Sequence, residues 1–563
     1  MSQLNEQIAT YAHEKREGTR ESGTSFGFGN VVQSPEPIDY RTQDVGLSAE
    51  WAQGWGLLRG GVRFNLFNNA IPVETFDNPF RAVSSTDASA YQAPGSASIN
   101  GPSFGRMALP PDSRSVTGSL GGVFKFGSNA RLSADASYGQ WTQNDAFIPF
   151  STNAAITAPF DTTDPGELPA ASLDGSIGVF SFSSVFTVRP ASGLGITARY
   201  RRYDLDNKSA RIRFEHGYVR FDSAFEEIPR ISVPYGYAND QAVVSASYDL
   251  GRRLTLEGGY RFDGMHRTFR ETEKTTQNTL FASALLRLAD WAVLRTSVER
   301  GRRDFDHYEP VEAEEASFLD PGPPANLTSL RRYDQAKKDT TRVSGLLQLS
   351  PVDQVTVSAS YLRGKDDYDE LTHGLMDALN EAFSLEADYT PMERLSVYAF
   401  YTRERIETFQ VARQSGATPS VNPLDDWTAR LSDKVDFYGG GGTAVLVPSK
   451  LDLKLMGMLE KVNGNADLFA PLGGAPANAR LATGGVQDIG PWDDTRLLTV
   501  LAELGWNVDA RWRLAGGAWL EDYEVRDLNS EGLLNYVPAS FFLAPVDSDY
   551  RGYVVYARAS YTW

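Results

Sequence analysis

The segment from Arg114 to Phe150 constrains the fold more tightly than any other part of the chain. It consists of two runs of alternating apolar and polar-or-small residues, joined by Gly127-Ser128-Asn129. In the first run Val116, Gly118, Leu120, Gly122, Phe124 and Phe126 fall on one face. Ser115, Thr117, Ser119, Gly121 and Lys125 fall on the other, with Val123 as the single exception. The second run sets Leu132, Ala134, Ala136 and Tyr138 against Arg131, Ser133, Asp135 and Ser137. Side chains of a strand alternate between the two faces of a sheet, so this is a hairpin with one greasy face and one wet face. A lone hairpin is marginal in water, so the fold must be built from many of them.

The unit recurs. A tight turn followed by an alternating strand begins at Gly127, Pro190, Leu250, Pro351, Pro391, Pro448 and Val508, with a looser copy at Leu288. The spacing is irregular, unlike the fixed period of a solenoid or propeller. The irregularity lies at one end only. Turns such as 127–129, 190–193, 250–252, 351–353 and 448–449 are short. The opposite connections, 70–112, 144–173, 305–339, 410–431, 464–491 and 527–546, are long and rich in Pro, Asp, Asn, Gly and Ser. Short periplasmic turns opposed to long extracellular loops are the layout of an outer-membrane barrel. The expectation is therefore an all-β fold, a large antiparallel transmembrane β-barrel of about 20 strands, forming one domain over residues 1–563. The strands are expected near 4–16, 40–52/56–69, 113–126/130–143, 174–189/194–205, 236–249/253–268, 276–288/291–304, 340–350/354–366, 378–390/394–409, 433–447/450–463, 493–507/511–526 and 547–563. Aromatic residues near strand ends, among them Tyr138, Trp141, Tyr200, Tyr203, Tyr401 and Trp512, suit interfacial girdles. The last strand puts Tyr553, Val555, Ala557, Ala559, Tyr561 and Trp563 on one face. Tyr561 and Trp563 thus resemble a C-terminal assembly signal of such barrels.

Composition narrows the function. No run approaches 18 apolar residues, so no transmembrane helix is expected. Mean hydropathy is −0.35, as it would be where lumen-facing residues dilute the lipid-facing ones. With 54 Lys+Arg against 72 Asp+Glu and a formal charge of −18, the chain lacks the basic footprint of a nucleic-acid partner. It has no cysteine and five histidines, His13, His216, His266, His307 and His373. Disulfides, thiolate metal sites and covalent haem attachment through this chain are thereby excluded.

Catalytic signals are weak. No GxSxG elbow or P-loop occurs, and a hydrolase would need a Ser/His/Asp set converging at one rim. Gly439–Gly442 reads as a close backbone approach or a kink within a strand, not as a phosphate loop, which would need a following helix. The acids Asp304, Asp306, Glu309, Glu312, Glu314, Glu315 and Asp320 read as a solvated loop tip. A Ca²⁺ site is the alternative, but EF-hand spacing is absent.

The run Trp141-Thr142-Gln143-Asn144-Asp145-Ala146-Phe147-Ile148-Pro149-Phe150, following Tyr138-Gly139, resembles a signature of the MtrB/PioB family of outer-membrane barrels. Supporting stretches occur in the family's order: Gly18 to Gly27, Pro37 to Thr42, Phe67-Asn68-Asn69, Asn78-Pro79-Phe80, Leu109 to Asp112, Ser172 to Gly175 and Tyr203 to Lys208. The resemblance implies a non-enzymatic sheath across the Gram-negative outer membrane, holding a periplasmic decahaem c-type cytochrome for extracellular electron transfer, either metal reduction or Fe(II) oxidation. It implies that this chain binds no cofactor, since haem c travels on the partner. An extracellular multihaem cytochrome and outer-membrane lipid complete the expected partners. A porin or substrate-specific channel is the alternative.

Two features depart from the family. Met1-Ser-Gln-Leu-Asn-Glu-Gln shows no basic, apolar or cleavage region of a signal peptide. The resemblance also implies larger barrels, with several more strands before residue 10, and in some members a CxxC near the mature N-terminus. The expectation is a sequence truncated at its start. The motif residues Trp141, Thr142, Gln143, Asn144, Asp145, Phe147 and Pro149, with Asn78, Pro79 and Phe80, are expected to shape the extracellular rim.

Overall fold

A computed structural model describes residues 5–26, 30–77, 104–149, 161, 163–215, 218–220, 224–226, 229–319, 327–368, 373–413, 419–470, 485–487, 492–527, 540–541 and 549–561. Twenty long strands dominate it. They are β1 Asn5–Phe26, β2 Asn30–Gln53, β3 Gly56–Asn69, β4 Ser113–Phe126, β5 Ala130–Gln143, β6 Gly175–Ala191 and β7 Leu194–Asn207. Next come β8 Tyr237–Leu250, β9 Leu254–Arg267, β10 Lys274–Ala289, β11 Ala292–Phe305, β12 Lys338–Val352 and β13 Val355–Asp367. The series ends with β14 His373–Met392, β15 Leu395–Arg413, β16 Asp426–Val447, β17 Leu451–Ala470, β18 Asp493–Asn507, β19 Trp512–Asp527 and β20 Tyr550–Tyr561.

Each long strand pairs antiparallel with the next, from β1–β2 through β19–β20, in one continuous meander. The expected strand number and pairing order hold throughout. Among the described residues β1 and β20 are not joined to each other. The two ends of the series nevertheless meet at the outer rim, where Ser540–Phe541 pairs parallel with Val31 and Val32 of β2.

Several strands outrun their expected ends. β1 reaches Phe26 and β2 begins at Asn30, their ladder running unbroken from Asn5 opposite Trp51 to Phe26 opposite Asn30. β14 to β17 are extended in the same way at their outer ends. A membrane crossing takes about 9–11 tilted residues, so these strands continue beyond the lipid. There the backbone ladder persists, but lipid no longer demands apolar side chains, and the alternation fades.

Register fixes the two faces. Val116 lies opposite Phe64 and Gln140, and Leu120 opposite Gly60 and Ala136. This face leaves large apolar side chains open, with Leu120 65% and Tyr553 and Val555 each 78% exposed. Contiguous apolar surface of this extent needs a nonaqueous neighbour, and in a barrel that neighbour is lipid. The opposite face carries the paired charges and faces the lumen. Gly121 lies between Arg59 and Asp135 in register, and Arg59 Nη2 meets Asp135 Oδ1 at 2.6 Å. A Cβ on Gly121 would collide with that carboxylate, so the glycine is what lets the two charges meet across an intervening strand. Gly439 is empty for a similar reason: the Phe400 ring occupies the space a Cβ would fill.

Candidate functional site

The motif stretches separated in sequence converge at the outer end of β3 to β6. β5 ends at Gln143, whose Oε1 accepts from Asp145 N at 3.2 Å. The Asp145 carboxylate accepts from Asp112 N at 2.8 Å. Asp112 in turn accepts from Asn69 N at 2.7 Å and from Asn68 Nδ2 at 2.9 Å. Ser172 donates its hydroxyl hydrogen to Asn144 Oδ1. Phe147 N donates to Ala171 O at 2.9 Å, and Arg106 Nη1 donates to Pro149 O at 3.1 Å. Thr142 Oγ1 accepts from Arg114 Nε at 3.2 Å. An open depression of about 480 Å³ lies over this clasp, lined in part by Asn68, Asp112, Arg114, Thr142, Asp145 and Asp174. Its acids are committed: both Asp112 oxygens and Asp145 Oδ2 already accept backbone or amide hydrogens. Among the described residues no group of three His, Cys, Asp or Glu side chains is placed to hold a metal ion, here or in the acidic 305–339 loop.

Trp141 departs from the girdle expectation. It lies opposite Ser115 and Ile177, on the polar face with Ser137 and Asp135, so it points into the lumen mouth. Tyr203 likewise shares the polar face with Arg201 and Arg199. Tyr138, Tyr200, Tyr401 and Trp512 occupy the apolar face, consistent with girdles. Strand-end position could not separate these groups, because a one-residue offset reverses the face. Tyr561 packs its ring on Trp512 at 4.9 Å. Asn78, Pro79, Phe80, Phe150, His216, Asp320 and Trp563 lie outside the described residues.

Two further rim clusters have no local sequence signature. In the first, Glu271, only 3% exposed, accepts from Arg332 Nε, from Gln335 Nε2 at 2.8 Å and from Arg270 Nε at 3.3 Å. Gln335, fully buried, also accepts from Thr272 N at 2.9 Å. Arg332 N donates to the Tyr308 hydroxyl at 3.1 Å. Burial acts to raise the Glu271 pKa, but hydrogen bonds from its own backbone, Gln335 and Arg332, plus the Arg332 charge, together hold it below the usual carboxylate range. The cluster pins the loop after β11 against the β9–β10 connection.

The second cluster contains a Ser, a His and an Asp. His373, 1% exposed, places Nδ1 2.7 Å from Ser329 Oγ and Nε2 3.1 Å from Asp426 Oδ1. Arg413 Nε grips the same Asp426 oxygen at 2.5 Å and Nη2 holds its partner at 3.2 Å. The Asp426 carboxylate is thus shared between Arg413 and His373, and the ring is sealed from solvent. The chemistry of this arrangement is that of a strut: it fastens Leu330–Arg331, paired parallel with His373–Gly374, to the head of β14.

Below the rim, the lumen wall is divided by charge. Arg59, Arg63, Arg131, Arg199, Arg201 and Arg295 mark the polar face of β3 to β11. Glu386, Asp388, Glu404, Asp433, Glu460 and Glu521 mark it from β14 to β19. Cross-strand pairs within a wall, such as Arg261–Glu299 at 2.6 Å and Arg513–Asp452 at 2.8 Å, temper each wall without cancelling it.

These features can be set beside known proteins. The family described as "Putative outer membrane beta-barrel porin, MtrB/PioB" matches residues 2–563. The Outer membrane protein MtrB of Shewanella baltica (strain OS185) is 24% identical over 442 residues, covering 77% of this chain and 56% of that protein. The chain therefore spans about half the length of the curated relative it matches. Among solved structures, the FrpB iron transporter from Neisseria meningitidis (F3-3 variant) is 11% identical with a TM-score of 0.50, covering 99% of this chain and 77% of that one, a likeness of fold alone. The meander, its lipid face and the match along essentially the whole chain agree: this is an outer-membrane β-barrel protein belonging to the MtrB/PioB family.

Proposed function

We propose that the protein is a non-enzymatic sheath, holding a multihaem c-type cytochrome across the outer membrane for extracellular electron transfer. The number of long strands is the observation that carries this reading. Twenty strands about 4.8 Å apart, tilted by about 40° and closed into a ring, give a backbone diameter of about 40 Å. Porins of 16–18 strands already leave an aqueous channel, and 22-stranded transporters fill theirs with a plug. A lumen of this size suits a folded protein occupant better than a small solute. The divided wall adds to this. A cationic side facing an acidic side gives an elongated partner with complementary charges one preferred rotation about the barrel axis. With no cysteine and five histidines in the chain, the haems belong to the partner, and the barrel contributes insulation from lipid and position. On this reading the rim clasp at Trp141 to Pro149 would contact an extracellular cytochrome docking on the held one.

The test is purification of the barrel from membranes that contain its native periplasmic cytochromes, followed by haem staining and transmembrane electron flux in liposomes. A stoichiometric haem protein and flux dependent on it are expected. Solute conductance by the barrel alone, with no haem partner retained, would replace the sheath with the channel reading.

A further inference from the structure

The lipid face does not remain apolar to the outer ends of the strands. Across β15 to β18 one outward row reads Tyr401, Tyr438, Leu459 and Leu498 in register. Two residues further out the row becomes Arg403, Asp436, Lys461 and Arg496, and beyond it Arg405 faces Lys434. Two pairs of cations therefore stand directly opposed, Arg405 with Lys434 and Lys461 with Arg496. Side chains so placed have Cβ atoms about 4.5–5.5 Å apart, and like charges there are destabilising.

The neighbouring acids relieve the arginines and leave the lysines. Arg405 is taken by Glu407 at 2.5 Å and Arg496 by Glu524 at 2.8 Å. Asp436 accepts from the Tyr401 hydroxyl at 2.6 Å and stands 4.0 Å from Arg403. Among the described residues Lys434 and Lys461 are exposed on this face and have no ion pair or hydrogen bond. On the lumen side, water would screen such a pattern; on the outward side the surroundings are lipid. Lys461 is about ten residues along β17, or about 25 Å of membrane depth at a tilt of about 40°, the height at which the apolar band of these barrels ends. Further down the same outward rows, below the Tyr438–Leu459 pair, Gly440 and Gly457 face each other, and the space beside Gly457 is open. The result is a recess in the lipid face, with Tyr438 and Leu459 between it and two ammonium groups that make no ion pair among the described residues.

We infer that this patch binds a phosphorylated glycolipid of the outer leaflet. Its phosphate lies between Lys434 and Lys461, and an acyl chain lies in the Gly440–Gly457 recess. The phosphate relieves the opposed cations through charge-assisted hydrogen bonds, and the acids Asp436, Glu407 and Glu524 confine it to the gap between the lysines. The site lies on the outside of the barrel and is independent of what the lumen holds.

Native mass spectrometry of the full chain in detergent tests this, using diphosphorylated lipid A and the same lipid stripped of phosphate. Diphosphorylated lipid A is expected to bind at least tenfold more tightly than the stripped form. The double variant Lys434→Gln/Lys461→Gln is expected to lose that preference, and excess inorganic phosphate to leave the lipid in place. Equal binding of the two lipids, or a preference unchanged in the variant, overturns the site. Displacement by inorganic phosphate would show an anion site without lipid specificity and overturn it as well. If the variant does not assemble, the comparison of the two lipids on the unaltered protein decides. Because the barrel is measured alone, failure here leaves the cytochrome reading untouched, and loss of the cytochrome reading leaves this one standing.

Discussion

Replacing Glu271 by Gln keeps the side-chain volume, removes the charge and turns one acceptor into a donor. The cost follows from its contacts. Gln335 Nε2, on a fully buried residue, would lose its acceptor; an unsatisfied buried donor costs about 1–3 kcal/mol. Arg332 and Arg270 would lose a charged partner, but their side chains are 43% and 31% exposed. Solvent screening limits each loss to about 0.5 kcal/mol. The sum, about 2–4 kcal/mol, is local to the loop after β11 rather than to the strand ladder. At 1.4 kcal/mol per factor of ten, it corresponds to a roughly 30- to 700-fold rise in loop opening. Hydrogen–deuterium exchange reads this directly. The amides of Gln335 and Ala336, which donate to Arg332 O at 2.9 and 2.8 Å, and of Thr272 should exchange at least thirtyfold faster. Amides in the β9–β10 ladder below should not change. The same cluster sets a pH dependence. Because the folded pKa of Glu271 is lowered, its contribution is complete above the unfolded carboxylate value and is lost as pH falls through the lower folded value. Loop exchange should therefore accelerate only in acid, below about pH 4.3, and in the Gln variant this step should vanish. Exchange at Gln335 within threefold of the unaltered protein would refute the account of how the loop is held.

Asp145→Ala removes the acceptor of Asp112 N and should loosen the 104–112 segment by about 1 kcal/mol, seen as faster proteolysis there and weaker retention of an extracellular cytochrome; unchanged cleavage and docking would contradict the rim role. Tryptophan fluorescence distinguishes the two faces: Trp512 should be quenched by brominated acyl chains, whereas Trp141 should respond to aqueous iodide, and the reverse pattern would invalidate the face assignment. Ser329 should give no adduct with a fluorophosphonate, because the His373 ring beside it is sealed from solvent and Asp426 is held by Arg413; labelling at Ser329 would show a working nucleophile.

The strand ladder was legible in the sequence to a degree unusual for a chain of 563 residues. Lipid imposes a period of two on every crossing, and each backbone group within the membrane must be paired. The number of strands, their order and the segregation of short turns from long loops are written in that alternation. The motif at Trp141 to Pro149 was legible too, as a run that follows directly on an alternating strand. Tertiary structure alone decided what register and loop folding control. It placed Trp141 on the lumen side and carried β1, β2 and β14 to β17 past the lipid, where polarity no longer reports strand. It also assembled Glu271 with Arg332 and Gln335, and Ser329 with His373 and Asp426, across gaps of 44 to 64 residues. Such clusters follow no local period, because each partner answers to a different loop. The opposed cations at Lys434 and Lys461 belong to the same class: each is an ordinary outward residue of its own strand, and only the pairing of four strands sets like charge against like.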